Sequence, residues 1–302
     1  MYPFQPLGIL FFSLRGGCCY MLSQVAGHDS STVSAANVDA SDLVAALNNQ
    51  GLNVQFIHCD ASDWESQVNA FISALNFAPT KTLDVVAVFA GIDDSGHLVD
   101  YIHATKASLS GPPPAAPSVK PLEVNSKGAF YTAALALHYF RLQPQGSSAT
   151  SADTRQSKAL IIVSSLAGYI DDTHDSVYTA SKFGSRGVFR AIRARAQQEL
   201  NVRVNLIAPW AMKAPMTAPI LAKLSEYGIE EGKGISFVEH DVLTQAVAKI
   251  AVDESISGSG RAFAVVPEGA IDIDDDLAGG YGGPKLQELM ALRKKAGDFL
   301  TG

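Results

Sequence analysis

Three side chains in the middle of this sequence are spaced to move a proton. Tyr178 and Lys182 stand four residues apart in SVYTASKFG, and Ser165 precedes Tyr178 by thirteen. On a helix, positions i and i+4 lie one above the other on the same face, so Tyr178 and Lys182 project together. An unperturbed phenol titrates near ~10. An ammonium about 5 Å away, at an effective dielectric near 20, is worth roughly 3 kcal/mol, or about two pKa units. Tyr178 could then exchange protons near neutrality, as a general acid/base must. A tyrosine and a lysine on a solvated helix face would have the same spacing, so the surrounding elements decide between the two readings.

Those elements read as strand, loop, long helix, strand, loop over residues 159–216. Leu160 to Val163 is an all-apolar, β-branched run, the pattern of a strand buried on both faces. Tyr178 to Leu200 carries Phe189, Ile192, Ala196 and Leu200 at helical spacing. Val202 to Ile207 is a second buried-strand run, stopped by Pro209. Further strand signals lie at 8–12, 33–38, 54–58, 85–89 and 262–266, with helical patterns at 41–49, 62–75, 122–142 and 242–252. Alternating strands and helices predict an α/β fold with a parallel sheet covered on both faces. Ligands of such sheets bind beyond the strand carboxyl ends.

The joint pattern of a buried strand, a Ser pair, Ala-Gly, Tyr at +13, ASK and RVNLIAP resembles the short-chain dehydrogenase/reductase family, and PW with GRAFAVVPEGAID resembles its fungal members. The resemblance covers residues 33–270 and is strongest at 159–216. It implies a single Rossmann-like, doubly wound domain over 1–302, with a substrate lid at 211–240. It implies NAD(P)-dependent interconversion of a secondary alcohol and a ketone. Ser165, Tyr178 and Lys182 match the catalytic positions, and Asn125, in NSKG, matches the Asn that supports a proton relay. Cofactor contacts would fall on Asp39, Asp60, Ala90, Gly91, Tyr178, Lys182, Pro209 and Met212. The family's dimers and tetramers imply a homo-oligomer.

The sequence also departs from that family. The usual TGxxxGxG turn is replaced by SLRGGCCYMLSQVAGHDSS, so residues 1–32 form an atypical first βα unit. Either this turn is remodelled or the segment does not encode the family's turn, as when an intron is translated. A relative that lost the cofactor turn and serves only as a scaffold is the rival reading. The second strand ends near Asn37 and Asp39, either of which could meet the adenosine ribose, as could neither if the Asp is a solvated loop residue. No Arg or Lys is beside them to hold a 2′-phosphate, which favours NAD over NADP. Asp60 could read the adenine edge or cap the following helix. The family's NNAG is reduced to Ala90-Gly91 after Val88 and Phe89, and PGxxxT becomes Pro209-Trp210 with Ala214 in place of Thr.

Composition narrows the partners. A net charge of −7 over 302 residues argues against nucleic acid, which wants a basic face. Cys18, Cys19 and Cys59 are an odd number in a long chain, so a disulfide framework is not expected and a reducing, cytoplasmic setting fits. No apolar run reaches the ~18 residues of a membrane span, and MYPFQPLGILFF, which lacks a basic start, reads as a first core strand. Met216, Ile220, Leu221, Leu224 and Tyr227 in the lid point to an apolar alcohol or ketone, although a short packed helix would need the same residues. DIDDD at 272–276 lacks the Gly and Glu of a calcium loop, and Asp171, Asp172, His174 and Asp175 lie in a variable loop. Both clusters read as solvated, with no metal. The Pro- and Ser-rich stretches at 106–121 and 144–158 read as surface loops.

Overall fold

A computed structural model of the chain describes residues 8–15, 18–25, 41–50, 53–78, 81–93, 96–103, 106–142, 158–170, 175–213, 217–253, 258 and 260–275. Its strands are β1 (Gly8–Arg15), β2 (Cys18–Val25), β3 (Asn53–Cys59), β4 (Val85–Val88), β5 (Lys158–Val163), β6 (Val202–Pro209), the short β7 (Glu230–Glu231) and β8 (Gly234–Ile235), β9 (Ala262–Val266) and β10 (Gly269–Asp272). Its α-helices are α1 (Ser41–Asn49), α2 (Trp64–Phe77), α3 (Leu98–His103), α4 (Ala129–Tyr139), α5 (Ser176–Leu200), α6 (Ala218–Glu226) and α7 (His240–Val252). Eight strands form one sheet in the order β10-β9-β6-β5-β4-β1-β2-β3.

The middle of that sheet follows the sequence pattern closely. Strands β1, β4, β5, β6 and β9 are parallel neighbours. Along β4 and β5, alternate residues enter opposite cores: Val86, Val88, Leu160 and Ile162 face α2, α4 and α5, whereas Val85, Ala87, Ala159 and Ile161 face α7. Both faces are covered, so both sets must be apolar, which is why these strands read as unbroken hydrophobic runs. In β6 the α7 face carries the buried Arg203. Its guanidinium donates to the carbonyls of Ile250 (3.0 Å) and Ala251 (2.7 Å) at the end of α7, where a helix presents unpaired carbonyls and favours positive charge.

The first crossover departs from the expectation. The second strand in chain order is β2, antiparallel to both β1 and β3. Arg15 pairs with Cys18, and the sequence between them, Gly16-Gly17, is a dipeptide favoured in two-residue hairpin connections. The expected strand at 33–38 lies outside the described residues. The sheet is therefore parallel-dominated, with β2 and β10 running the other way. The helix predicted at 62–75 shifts by two residues to 64–77, and the one predicted at 242–252 begins two residues earlier, at 240. Residues 106–119 are an exposed irregular segment, as their composition predicts. The loop expected at 144–158 falls almost wholly outside the described residues, and Lys158 opens β5.

Candidate active site

Adjacent parallel strands β4, β5 and β6 end at Val88, Val163 and Pro209 and deliver their following loops to one edge of the sheet. At the end of β5, Ser164 N donates to Ile207 O at 2.8 Å, and its Oγ donates to the carbonyl of Lys182 at 2.9 Å. Ser185 donates to that carbonyl (3.0 Å) and to Ser164 Oγ (3.2 Å). Ser165 then caps a 3-10 turn, Leu166–Gly168, its Oγ accepting from Ala167 N at 3.1 Å. A serine hydroxyl used as acceptor still has its proton to donate. The turn lies directly on the backbone of α5. A Cβ on Gly168 would fall 3.0 Å from both Lys182 O and Ser164 Oγ.

Helix α5 begins where Asp175, buried and extended, accepts a hydrogen bond from Tyr178 N at 2.7 Å. Tyr178 therefore stands in the first turn, with Lys182 one turn on. Lys182 is 5 % exposed, its Nζ 5.4 Å from the centre of the Tyr178 ring. Burial holds the ammonium well below its ordinary value, at about 8. A charge removed from water loses hydration, which favours the neutral amine. The loop after β4 passes close above it. A Cβ on Gly91 would lie 3.1 Å from Lys182 Nζ and 3.6 Å from Asn125 Oδ1, so a side chain here would crowd the ammonium.

Asn125 is buried within a turn of π-helix, Leu122–Gly128, a rare geometry that collects at functional sites. Its side chain accepts from Ile92 N (2.8 Å) and donates to Ile92 O (2.9 Å) and to Ser181 Oγ (2.8 Å). Ser181 in turn donates to Tyr178 O at 2.6 Å. One amide thus ties the β4 loop to the helix that carries Tyr178 and Lys182.

The other expected positions are less gathered. Ala90 is buried beside Gly91. Pro209 ends β6, and Met212 pairs with Val238 and accepts from Thr217 Oγ1 at 2.6 Å, which closes the base of the 211–240 segment. Asp60 follows β3, but its Oδ1 accepts from Ser62 N (2.8 Å) and Ser62 Oγ (2.7 Å), while Asp63 takes the cap of α2. Asp39, Ala214 and Met216 lie outside the described residues. In the segment expected to be a lid, Leu221 and Leu224 are half-buried on α6 and Tyr227 is exposed.

Two acidic clusters need correction. Asp275, placed by its sequence in a solvated run, is 3 % exposed and meets Arg186, Arg190 and Arg193 of α5. Asp272 pairs with Arg261. Asp175, in the variable loop, is a buried helix cap; an acidic residue just before a helical pattern was the signal for it. Among the described residues no group of three or more His, Cys, Asp or Glu could hold a metal ion. No helix there is long and apolar enough to cross a membrane, and Cys59 is buried.

A sheet that ends its parallel strands at one edge, with a tyrosine and a buried lysine one turn apart beside a serine-capped turn, is the arrangement expected of a dehydrogenase of the short-chain type. The chain belongs to the short chain dehydrogenase family, whose model matches residues 19–225. It is 41 % identical over 257 residues to a 5′-hydroxyaverantin dehydrogenase of Dothistroma septosporum, covering 84 % of this chain and 81 % of that one. It is 40 % identical over 245 residues to the 5′-hydroxyaverantin dehydrogenase of Emericella nidulans, covering 80 % and 78 %. An NADP-dependent dehydrogenase of Cochliobolus lunatus is 30 % identical over 204 residues, 67 % of this chain and 65 % of its own. The solved structure of gox2181 shares the fold at a TM-score of 0.54 and 19 % identity, covering 75 % of this chain and 79 % of the other. The protein is an oxidoreductase of this family.

Proposed function

We propose that this dehydrogenase interconverts a secondary alcohol and a ketone on an apolar, polyketide-type secondary metabolite, with NAD as its preferred cofactor. The observation that carries the reading is the pairing of Tyr178 with the buried ammonium of Lys182 beside the Ser165 turn. The two relatives at 40–41 % identity, both named 5′-hydroxyaverantin dehydrogenases, support the substrate class. The lid's half-buried Leu221 and Leu224 suit an apolar ligand. The absence of a basic residue next to Asp39 favours NAD, and the NADP-dependent relative makes the preference one to be measured.

When bound, the nicotinamide supplies the hydride acceptor or donor. Tyr178, Lys182 and the backbone at Gly91 and Met212 are the groups that would hold its ribose and carboxamide end. Tyr178 accepts the proton of the alcohol oxygen during oxidation and returns it during reduction. Ser165 donates its free hydroxyl proton to the same oxygen and orients it. Lys182 stays protonated by about ten to one at pH 7, given its value of about 8, and its charge favours the phenolate. Asn125 supports the proton relay, and its side-chain bonds to Ile92 and Ser181 also fix the site's shape. Oxidising 5′-hydroxyaverantin with NAD while following absorbance tests the reading. Tyr178→Phe is expected to lower kcat by about a thousandfold or more while weakening NADH binding by no more than about tenfold, the worth of one hydrogen bond; retained turnover would sink the assignment.

One observation favours a second reading, a relative that scaffolds without catalysis. β1 and β2 are antiparallel and two residues apart, which leaves no helix N-terminus between them for a pyrophosphate. Titrating NADH and NADPH against the protein separates the two: binding weaker than millimolar for both supports the scaffold.

A further inference from the structure

Ser165 sits between two anchors, and only one of them lies in the site described above. The near anchor is Ser164, bonded to the backbone of Lys182. The far anchor is Arg186, one helical turn beyond Lys182 on α5. Its Nη1 donates to Gly168 O at 3.2 Å, and its guanidinium lies 3.9 Å above the centre of the Tyr169 ring. Gly168 N and Tyr169 N close the turn onto Ser165 O and Leu166 O, both at 2.9 Å. Arg186 is oriented by a residue 89 positions away in sequence. Its Nε donates at 2.6 Å to Oδ1 of Asp275, whose carboxylate is fully buried and whose other oxygen accepts from Arg193 at 3.2 Å. Arg193 also holds the backbone of Asp275 and of Gly260, at 3.0 and 3.1 Å.

We infer that Arg186 and Asp275 are positioning residues for Ser165: the segment after β10 sets the guanidinium, and the guanidinium sets the turn from which Ser165 reaches the substrate oxygen. A planar, stacked and doubly donating guanidinium has no equivalent in an ammonium, so Arg186→Lys is a demanding substitution here. The buried Tyr169 hydroxyl makes no hydrogen bond of good geometry, and burial beside the Asp275 carboxylate holds its phenol protonated. The ring, not the hydroxyl, therefore carries its part in the clamp.

This inference rests on the dehydrogenase reading, and a double-mutant cycle separates the two. Wild-type turnover of 5′-hydroxyaverantin with NAD is measured first; a well-folded protein with none overturns the functional reading and the clamp together. Given turnover, Arg186→Lys and Asp275→Asn are expected each to lower kcat about tenfold, with the NADH dissociation constant unchanged. In a Ser165→Ala background the same changes should lower kcat by less than about twofold, because residues that act through one another are not additive. Tyr169→Leu should behave like Arg186→Lys, and Tyr169→Phe like the wild type. Circular dichroism and thermal melting restrict the comparison to folded variants, and the Tyr169 pair completes the cycle if either charge variant does not fold. Equal losses in the wild-type and Ser165→Ala backgrounds would overturn the clamp alone.

Discussion

Burying Lys182 carries a stability cost. Its amine titrates near 8 in the folded chain instead of 10.5 because it is buried. That difference corresponds to roughly 3 kcal/mol. The unfolded chain keeps the proton up to 10.5 and the native state only to about 8. Between those values the unfolded state binds more protons, so stability rises with pH across that window. Below pH 8 both states are protonated and the native state bears the whole burial cost. Lys182→Met is therefore expected to stabilise the apo-protein at pH 7 by up to about 3 kcal/mol while abolishing turnover. Urea titrations at pH 7 and pH 10 check this: the wild type should gain stability between them and the variant should gain much less. Parallel behaviour of the two proteins would contradict the burial argument.

At the scale of elements, the site depends on how closely helices approach the loops that end β3 and β4. Gly128 closes the π-helical turn of Asn125, and a Cβ there would stand 2.8 Å from Ala61 O. The fully buried Gln67 seals the same junction, donating to Ala61 O (2.6 Å) and Gly128 O (3.1 Å) and accepting from Thr132 at 2.8 Å. Gly128→Ala forces backbone apart in a packed interior, which costs about 1–3 kcal/mol. It should lower the melting temperature and, by displacing Asn125, slow turnover. A variant as stable as the wild type would show that the junction can give way. Gly184, whose Cβ would meet Ser126 Oγ at 2.3 Å, seals the other side of that turn against α5.

For the whole molecule, the central question is how the N-terminal half meets a dinucleotide. The parallel strands β4, β5 and β6 present one end of the proposed site, and β1 runs parallel to β4 beside them, whereas β2 turns back antiparallel to β1. Any ligand that binds only the native state stabilises it, by about 2.7 kcal/mol at a hundredfold excess over its dissociation constant. Saturating NADH is expected to raise Tm by several degrees, and NADPH by less at equal concentration. No shift with either, followed by differential scanning fluorimetry, would place the dinucleotide elsewhere or rule it out for this chain.

The sequence alone determined the buried parallel strands, because residues covered on both faces have to be continuously apolar. It also determined that Tyr178 and Lys182 share a face, because helical spacing is local. The displaced glycines of the first turn were visible as an anomaly, and Gly16-Gly17 is a local hairpin signal, but the pairing of β2 with β3 joins residues as distant as Cys19 and Cys59 and was not legible. The clamp at Asp275 was equally hidden. An aspartate in DIDDD reads as solvated until the fold brings three arginines of α5, far earlier in the chain, around it. Only tertiary packing can decide whether such a charge meets water or a partner.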